Sequence, residues 1–204
     1  MKVNIAVDND EILFSLYEPL FRFHNEKYGT NLKKEDFISY HFHEVWGGDR
    51  EEEERKVNEF FNSDYFANIK PVLGAVEAMK YLKERGHALF VVTGRIPSLA
   101  QKTESDLIKY FPGIFSGVCF GNSYGVTGAK IPKSTLCRKL NCGIIIEDDM
   151  LHIRECAAAG ISVLAFDYPW NQEPLPDNAT RVFSWNEIHT LINTFNKKYY
   201  LTAT

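Results

Sequence analysis

Two carboxylates two residues apart, Asp8 and Asp10, directly follow a short apolar run at residues 3–7. Such a run reads as a buried strand, so both acids stand at its carboxyl end, where open α/β sheets bind their ligands. Like charges this close repel unless a cation or a shared proton relieves them. The pair therefore suits a metal ion, or chemistry that needs one ionised and one protonated acid. Taken alone, it does not exclude simple capping of the next helix.

Three further strand ends add to it. An apolar strand at 88–92 ends at Thr93, Gly94 and Arg95. A polar, glycine-rich loop at 121–128 leads to Lys130 and Lys133, and a strand at 143–146 ends in Glu147, Asp148 and Asp149. Acids at two strand ends of one rim, with a hydroxyl and a lysine at two others, form a specific pattern. Three carboxylates around one point call for a hard cation, and oxygen ligands suit Mg²⁺. The lysine and threonine then offer positive charge and a hydrogen bond to a phosphoryl group beside the metal, which is phosphoryl transfer by positioning and electrostatics. Lys133 follows Pro132 and opens a helical pattern, so it is preferred to Lys130. Arg95 either touches phosphate or lies on the surface.

The elements that must position these residues alternate. Pro71 suits a first helical position, with Val72, Val76, Met79 and Leu82 on one face and Gly86 as the stop. Helices are expected at 99–110, at 133–140, from 150 to Gly160 and at 185–198. Short strands are expected at 118–120 and 162–166, the latter the last clear one. The alternation predicts an α/β fold with a parallel sheet and helices on both faces. Residues 15–68 break the pattern with two amphipathic helices and no convincing strand. One carries Leu16, Leu20, Phe23 and Tyr28; the other carries Val57, Phe60 and Phe61 after the acidic run at 51–54. We read this stretch as a small helical insertion over the first strand end. The core is then 1–14 and 69–204.

At 204 residues the chain suits one core with an insertion, and 45% hydrophobic with 14% aromatic residues is ample for packing. A net charge of -4 leaves no basic footprint for duplex nucleic acid. Cys119, Cys137, Cys142 and Cys156 show no C-x-x-C spacing, so free thiols are expected. No signal peptide or bilayer-length apolar stretch is read, which predicts a cytoplasmic protein.

In order and context the four motifs resemble the haloacid dehalogenase superfamily, mostly aspartate-nucleophile phosphatases, over nearly the whole chain. The resemblance implies a Rossmann-like core and an inserted cap of the C1 type. The run Asp8-Asn9-Asp10-Glu11-Ile12-Leu13 is more similar to the 5'(3')-deoxyribonucleotidase branch than to the usual D-x-D-G-T. Closer still are uncharacterised nucleotidase-like members with the segments found here at 43–47 and 169–171. The resemblance implies Asp8 as nucleophile and Asp10 as general acid and base. It implies Mg²⁺ on Asp8, the Asp10 carbonyl and Asp148, and phosphoryl oxygens held by Thr93 and Lys133; Gly94 and Arg95 join these two as candidate substrate-binding residues. Glu147 and Asp149 flank that metal ligand, and either one is placed to support it.

The expected function is a Mg²⁺-dependent phosphomonoesterase working through an aspartyl-phosphate, with a nucleoside monophosphate as the leading substrate. A phosphatase for another phosphoester and a non-catalytic binding protein remain the alternatives. His41, His43 and Trp46 either contact a base or sugar or, as favoured, pack the insertion. Phe14, Tyr17 and Phe21 are expected in the core, and residues 168–171 either wall the site or bury a tryptophan in a turn. His24, His87, His152 and His189 read as incidental.

Overall fold

The computed structural model describes residues 2–201, apart from 40, 41, 124 and 126. His41 lies outside the described residues. Strand β1 (Asn4–Val7) leads to the two-residue strand β2 (Phe14–Ser15). Helices α1 (Tyr17–Tyr28), α2 (Phe42–Trp46), α3 (Arg50–Phe61) and α4 (Asp64–Ala67) follow, and then β3 (Lys70–Pro71). The chain continues as α5 (Ala75–Glu84), β4 (Ala88–Thr93), α6 (Ala100–Tyr110), β5 (Phe115–Phe120), α7 (Lys133–Lys139) and β6 (Cys142–Glu147). It closes with α8 (Met150–Ala158), β7 (Ser162–Phe166), β8 (Ala179–Val182) and α9 (Trp185–Leu201).

The main sheet has the order β5-β4-β1-β6-β7-β8, with every neighbouring pair parallel. The chain winds outward from β1 through β4 to β5, then returns to β6 on the other side of β1. That reversal opens a crevice beyond the carboxyl ends of β1, β4 and β6, the usual place for a ligand in such sheets. Both faces of the sheet are buried, so its strands read as nearly continuous apolar runs. Ile5, Val7, Ile144 and Ile146 pack on one side with Met79 and Leu82 of α5 and Ile188 and Ile192 of α9. Ala6, Ile145 and Val163 pack on the other with Leu136 and Cys137 of α7 and Ile153 and Cys156 of α8. The four cysteines are free thiols.

Several boundaries differ from the sequence expectation. Pro71 does not open a helix: it pairs antiparallel with Phe14 while Lys70 pairs with Ser15, so β2 and β3 form a small ribbon at the two ends of the insertion. Proline lacks the N–H that a ladder interior needs, but it is tolerated in a two-residue edge strand. Gly74, at a φ of 83°, then sets the start of α5 at Ala75. The sheet also has an edge strand beyond β7, because Ala179-Thr180-Arg181-Val182 is too short and polar to stand out by pattern. Strand β5 starts three residues before the expected 118.

Residues 17–67 are joined by aromatic packing. Phe21 stacks on Phe37 at 4.0 Å between ring centroids, Tyr17 meets Phe42 edge-on at 5.4 Å, and Phe60 meets Phe66 at 5.6 Å. Phe14, Tyr17 and Phe21 are buried, as their spacing implied. The acidic run forms the first turn of α3, capped by Asp49, which accepts a hydrogen bond from the Glu52 N–H at 2.9 Å. Acids there are favoured by the unsatisfied N–H groups and the helix dipole.

Candidate active site

The β1–β6 pairing runs on into the site, where the Asp8 N–H donates to the Ile146 carbonyl at 3.0 Å. Asp8 is buried, and its Oδ2 accepts from the Asp10 N–H at 3.2 Å, which bends the chain tightly after the strand. Neither aspartate caps a helix in the hydrogen bonds just described. Lys133, the first residue of α7 and only 2% exposed, donates to Asp8 Oδ1 at 2.5 Å and to Glu147 Oε2 at 2.8 Å. Burial works against its charge, but Asp8 and Glu147 raise its pKa well above the ordinary lysine value. Burial pushes Asp8 up to about 7; Lys133 opposes the rise, and Glu147 and Asp10 add to it. Lys130 is exposed on the rim of the same cleft, so Lys133 is the lysine inside the carboxylate cluster.

Asp8, Glu147 and Asp148 each bring a carboxylate oxygen within 4.8 Å of the other two. Burial, with Glu147 and Asp8 alongside, raises the Asp148 pKa well above the carboxylate range. One ammonium shared by two of three buried acids leaves the cluster short of positive charge. The set consists of hard oxygen donors, so it fits a small divalent cation. Glu147 Oε1 also accepts from the N–H groups of Asp148 and Asp149 at 3.3 and 3.2 Å, so this residue shapes the turn as well as facing the cluster. Asp149 is the N-cap of α8, accepting from the Leu151 N–H at 2.7 Å.

Thr93 ends β4 fully buried, and its Oγ1 accepts from the Arg95 N–H at 3.2 Å. Arg95 is not a surface residue. Its Nε reaches both Asp10 oxygens at 3.2 and 3.0 Å, a terminal nitrogen reaches Oδ1 at 2.7 Å, and the other donates to Thr103 Oγ1 at 2.8 Å. An acid paired in this fork-like manner is held in orientation. The loop beyond β5 approaches so closely that a Cβ at Gly121 would lie 2.9 Å from the Ile131 carbonyl oxygen. Glycine is required there to bring the chain towards Lys133.

The site opens into a cleft of about 1120 Å³, whose far wall is built by Phe42 and by Val57, Asn58 and Phe61 of α3. His43 bonds Glu53 of α3 through its ring, and Trp46 stacks on His24 at 4.5 Å. Those contacts are the packing role favoured from sequence. His152, read as incidental, is buried and borders the cleft.

Of two further residues at the site, the sequence left one open and showed no sign of the other. Glu11 has a φ of 59°, unusual for a residue with a side chain. Its carboxylate accepts from the N–H groups of Leu16 and Tyr17, both at 2.7 Å, and so caps α1 from the preceding loop. Trp170, for which the sequence allows both a wall and a buried turn, is buried and donates to Asp148 Oδ2 at 2.9 Å. The available signal was its place two residues after Tyr168, just past a strand on the site's rim.

A parallel sheet with this order, acids at the ends of β1 and β6 and a lysine between them define the haloacid dehalogenase superfamily of hydrolases. Solved structures agree on the fold. A haloacid dehalogenase-like hydrolase from Streptococcus pneumoniae aligns with a TM-score of 0.68 at 14% identity, covering 94% of this chain and 98% of that one. A predicted phosphatase from Clostridium acetobutylicum aligns with a TM-score of 0.69 at 16% identity, covering 95% and 100%. The chain belongs to the 5' nucleotidase, deoxy (pyrimidine), cytosolic type C protein family, whose model matches residues 1–199. A curated nucleotidase of Clostridium acetobutylicum is 25% identical over 199 residues, 97% of each chain. The protein is thus a phosphoric monoester hydrolase. No helix among the described residues is long and apolar enough to cross a membrane.

Proposed function

We propose that the protein is a Mg²⁺-dependent 5'-nucleotidase-like phosphatase that hydrolyses a nucleoside monophosphate through an aspartyl-phosphate on Asp8. The observation that carries this reading is the buried contact of Lys133 with Asp8 and Glu147 at the floor of the large cleft. A lysine placed there holds a phosphoryl group against the attacking carboxylate while offsetting its charge. Asp8, Asp148 and the Asp10 carbonyl would hold the Mg²⁺, with Glu147 beside them. When bound, the cation offsets charge on the phosphoryl group and the acids.

Asp8 Oδ attacks phosphorus, and the ester oxygen leaves with a proton from Asp10. Asp10 then takes a proton from the water that opens the aspartyl-phosphate. Arg95 keeps the Asp10 carboxylate aimed at the cleft, and Thr93 and the Gly94 main chain complete the phosphoryl cradle. Residues 15–68 act as the cap, with Phe42 and Phe61 offering aromatic faces to a base. The membership of the nucleotidase family supports that substrate class.

The test is phosphate release from a panel of nucleoside monophosphates and sugar phosphates, with Mg²⁺ and with EDTA, beside Asp8→Asn. Release that needs Mg²⁺, favours nucleotides and disappears in the variant is the expected result. Undiminished release in Asp8→Asn would overturn the mechanism, and preference for another phosphoester would overturn the substrate alone.

A further inference from the structure

We infer that Trp170 is a positioning residue for the metal site: its indole N–H fixes the Asp148 carboxylate for the cation, an inference that rests on the metal reading above. The indole Nε1 donates to Asp148 Oδ2 at 2.9 Å, and both side chains are buried. A carboxylate that must face two like charges gains from a neutral donor that sets its rotation without taking the cation's place. The neighbouring residue fixes the other end of Asp148, since Asn171 Nδ2 donates to its main-chain carbonyl at 2.7 Å.

The indole is itself held on two sides. Tyr168 stacks on it at 4.5 Å between ring centroids with planes 6° apart, and the Tyr168 hydroxyl donates to the Glu11 carbonyl at 2.6 Å. Tyr17, at the start of α1, packs against it at 4.6 Å, and the Lys34 ammonium lies 4.2 Å from the Tyr168 ring centre. A side chain locked this way can give a metal-ligating acid a single orientation, which hydrophobic burial alone would not require. Phenylalanine would fill much of the same space with no donor. The indole N–H is therefore the part that acts on the site.

The experiment compares Mg²⁺ affinity of the wild-type chain and Trp170→Phe by isothermal titration calorimetry, with circular dichroism as the check on folding. Removing a group that orients a metal ligand typically weakens metal binding by about 10- to 100-fold. We expect a loss in that range, with the substrate KM at saturating Mg²⁺ nearly unchanged. Affinity within twofold of wild type in the folded variant would overturn the inference and leave the proposed function standing. Absence of Mg²⁺ binding by the wild-type chain would overturn both.

Should Trp170→Phe not fold, the wild-type chain labelled with 5-fluorotryptophan provides the measurement. The chain has three tryptophans, and the Trp46→Phe and Trp185→Phe variants assign their signals. The Trp170 fluorine signal should move with the Mg²⁺ isotherm while the other two stay in place. A stationary Trp170 signal during saturable binding would overturn the inference.

Discussion

Replacing Lys133 with methionine removes the ammonium shared by Asp8 and Glu147 while keeping most of the side-chain volume. Lys133 is 2% exposed and its two contacts are 2.5 and 2.8 Å long, so water cannot readily take its place. Removing one partner of a buried ion pair costs about 3–5 kcal/mol, because the remaining charge stays desolvated. For a chain of this size that corresponds to a fall in Tm of about 6–20 °C. Because burial pushes Asp8 up to about 7, the loss should be largest above pH 7. It should shrink on acidification, when Asp8 takes a proton and needs no partner.

Urea unfolding of wild type and Lys133→Met in EDTA at pH 8, followed by circular dichroism, measures the difference. Adding Mg²⁺ should recover part of the loss, since a cation among the three acids supplies the missing positive charge. A difference below about 1 kcal/mol in EDTA, the range of an exposed ion pair, would refute the reasoning. It would mean that the acids do not depend on Lys133 in solution.

Asp8→Asn should abolish phosphate release while the far-ultraviolet spectrum stays that of wild type. Arg95→Met should lower kcat by roughly 100-fold, since small errors in placing a reacting group cost about that much; an unchanged kcat would show that Asp10 needs no holder. His24 should make the protein acid-sensitive, because burial and then Lys56 lower its pKa to about 4. The folded chain therefore favours the neutral ring, whose contribution is complete above the unfolded value of about 6.5 and is lost as pH falls towards 4. The shift corresponds to a loss on the order of 3 kcal/mol. A pH series of urea unfolding should show a flatter acid limb in His24→Phe, and identical limbs would remove His24 from the account.

Much of the site was legible because its residues end strands. Buried parallel strands announce themselves as short apolar runs, so the amino-acid order alone puts Asp8, Thr93 and Asp148 on one rim. Lys133 could be preferred to Lys130 because Pro132 marks a helix start. The ribbon of β2 and β3 was not legible, since two-residue strands carry no period and Pro71 suits a helix start equally well. Arg95 is ambiguous in sequence because its partner is 85 positions away, and nothing local shows that its guanidinium turns towards Asp10. Trp170 is ambiguous for the same reason: wall and buried turn describe one residue that packs with its rings and bonds with its nitrogen. Glu11 carries no local signal because a left-handed backbone is expected of glycine, and only the folded chain shows two N–H groups holding its carboxylate.

The ribbon bears on how substrate would enter. The chain leaves the core through Phe14–Ser15 and returns through Lys70–Pro71, and these crossings are bonded to each other. The Val72 N–H adds a bond to the Leu13 carbonyl at 2.9 Å. A segment carried on two separate linkers can slide, twist and lift. One carried on a tied pair would have a single pivot, and any opening would follow that pivot as a door does. Such a door would open widest along the edge remote from the ribbon, which would make that edge the entrance for substrate and the exit for the released alcohol.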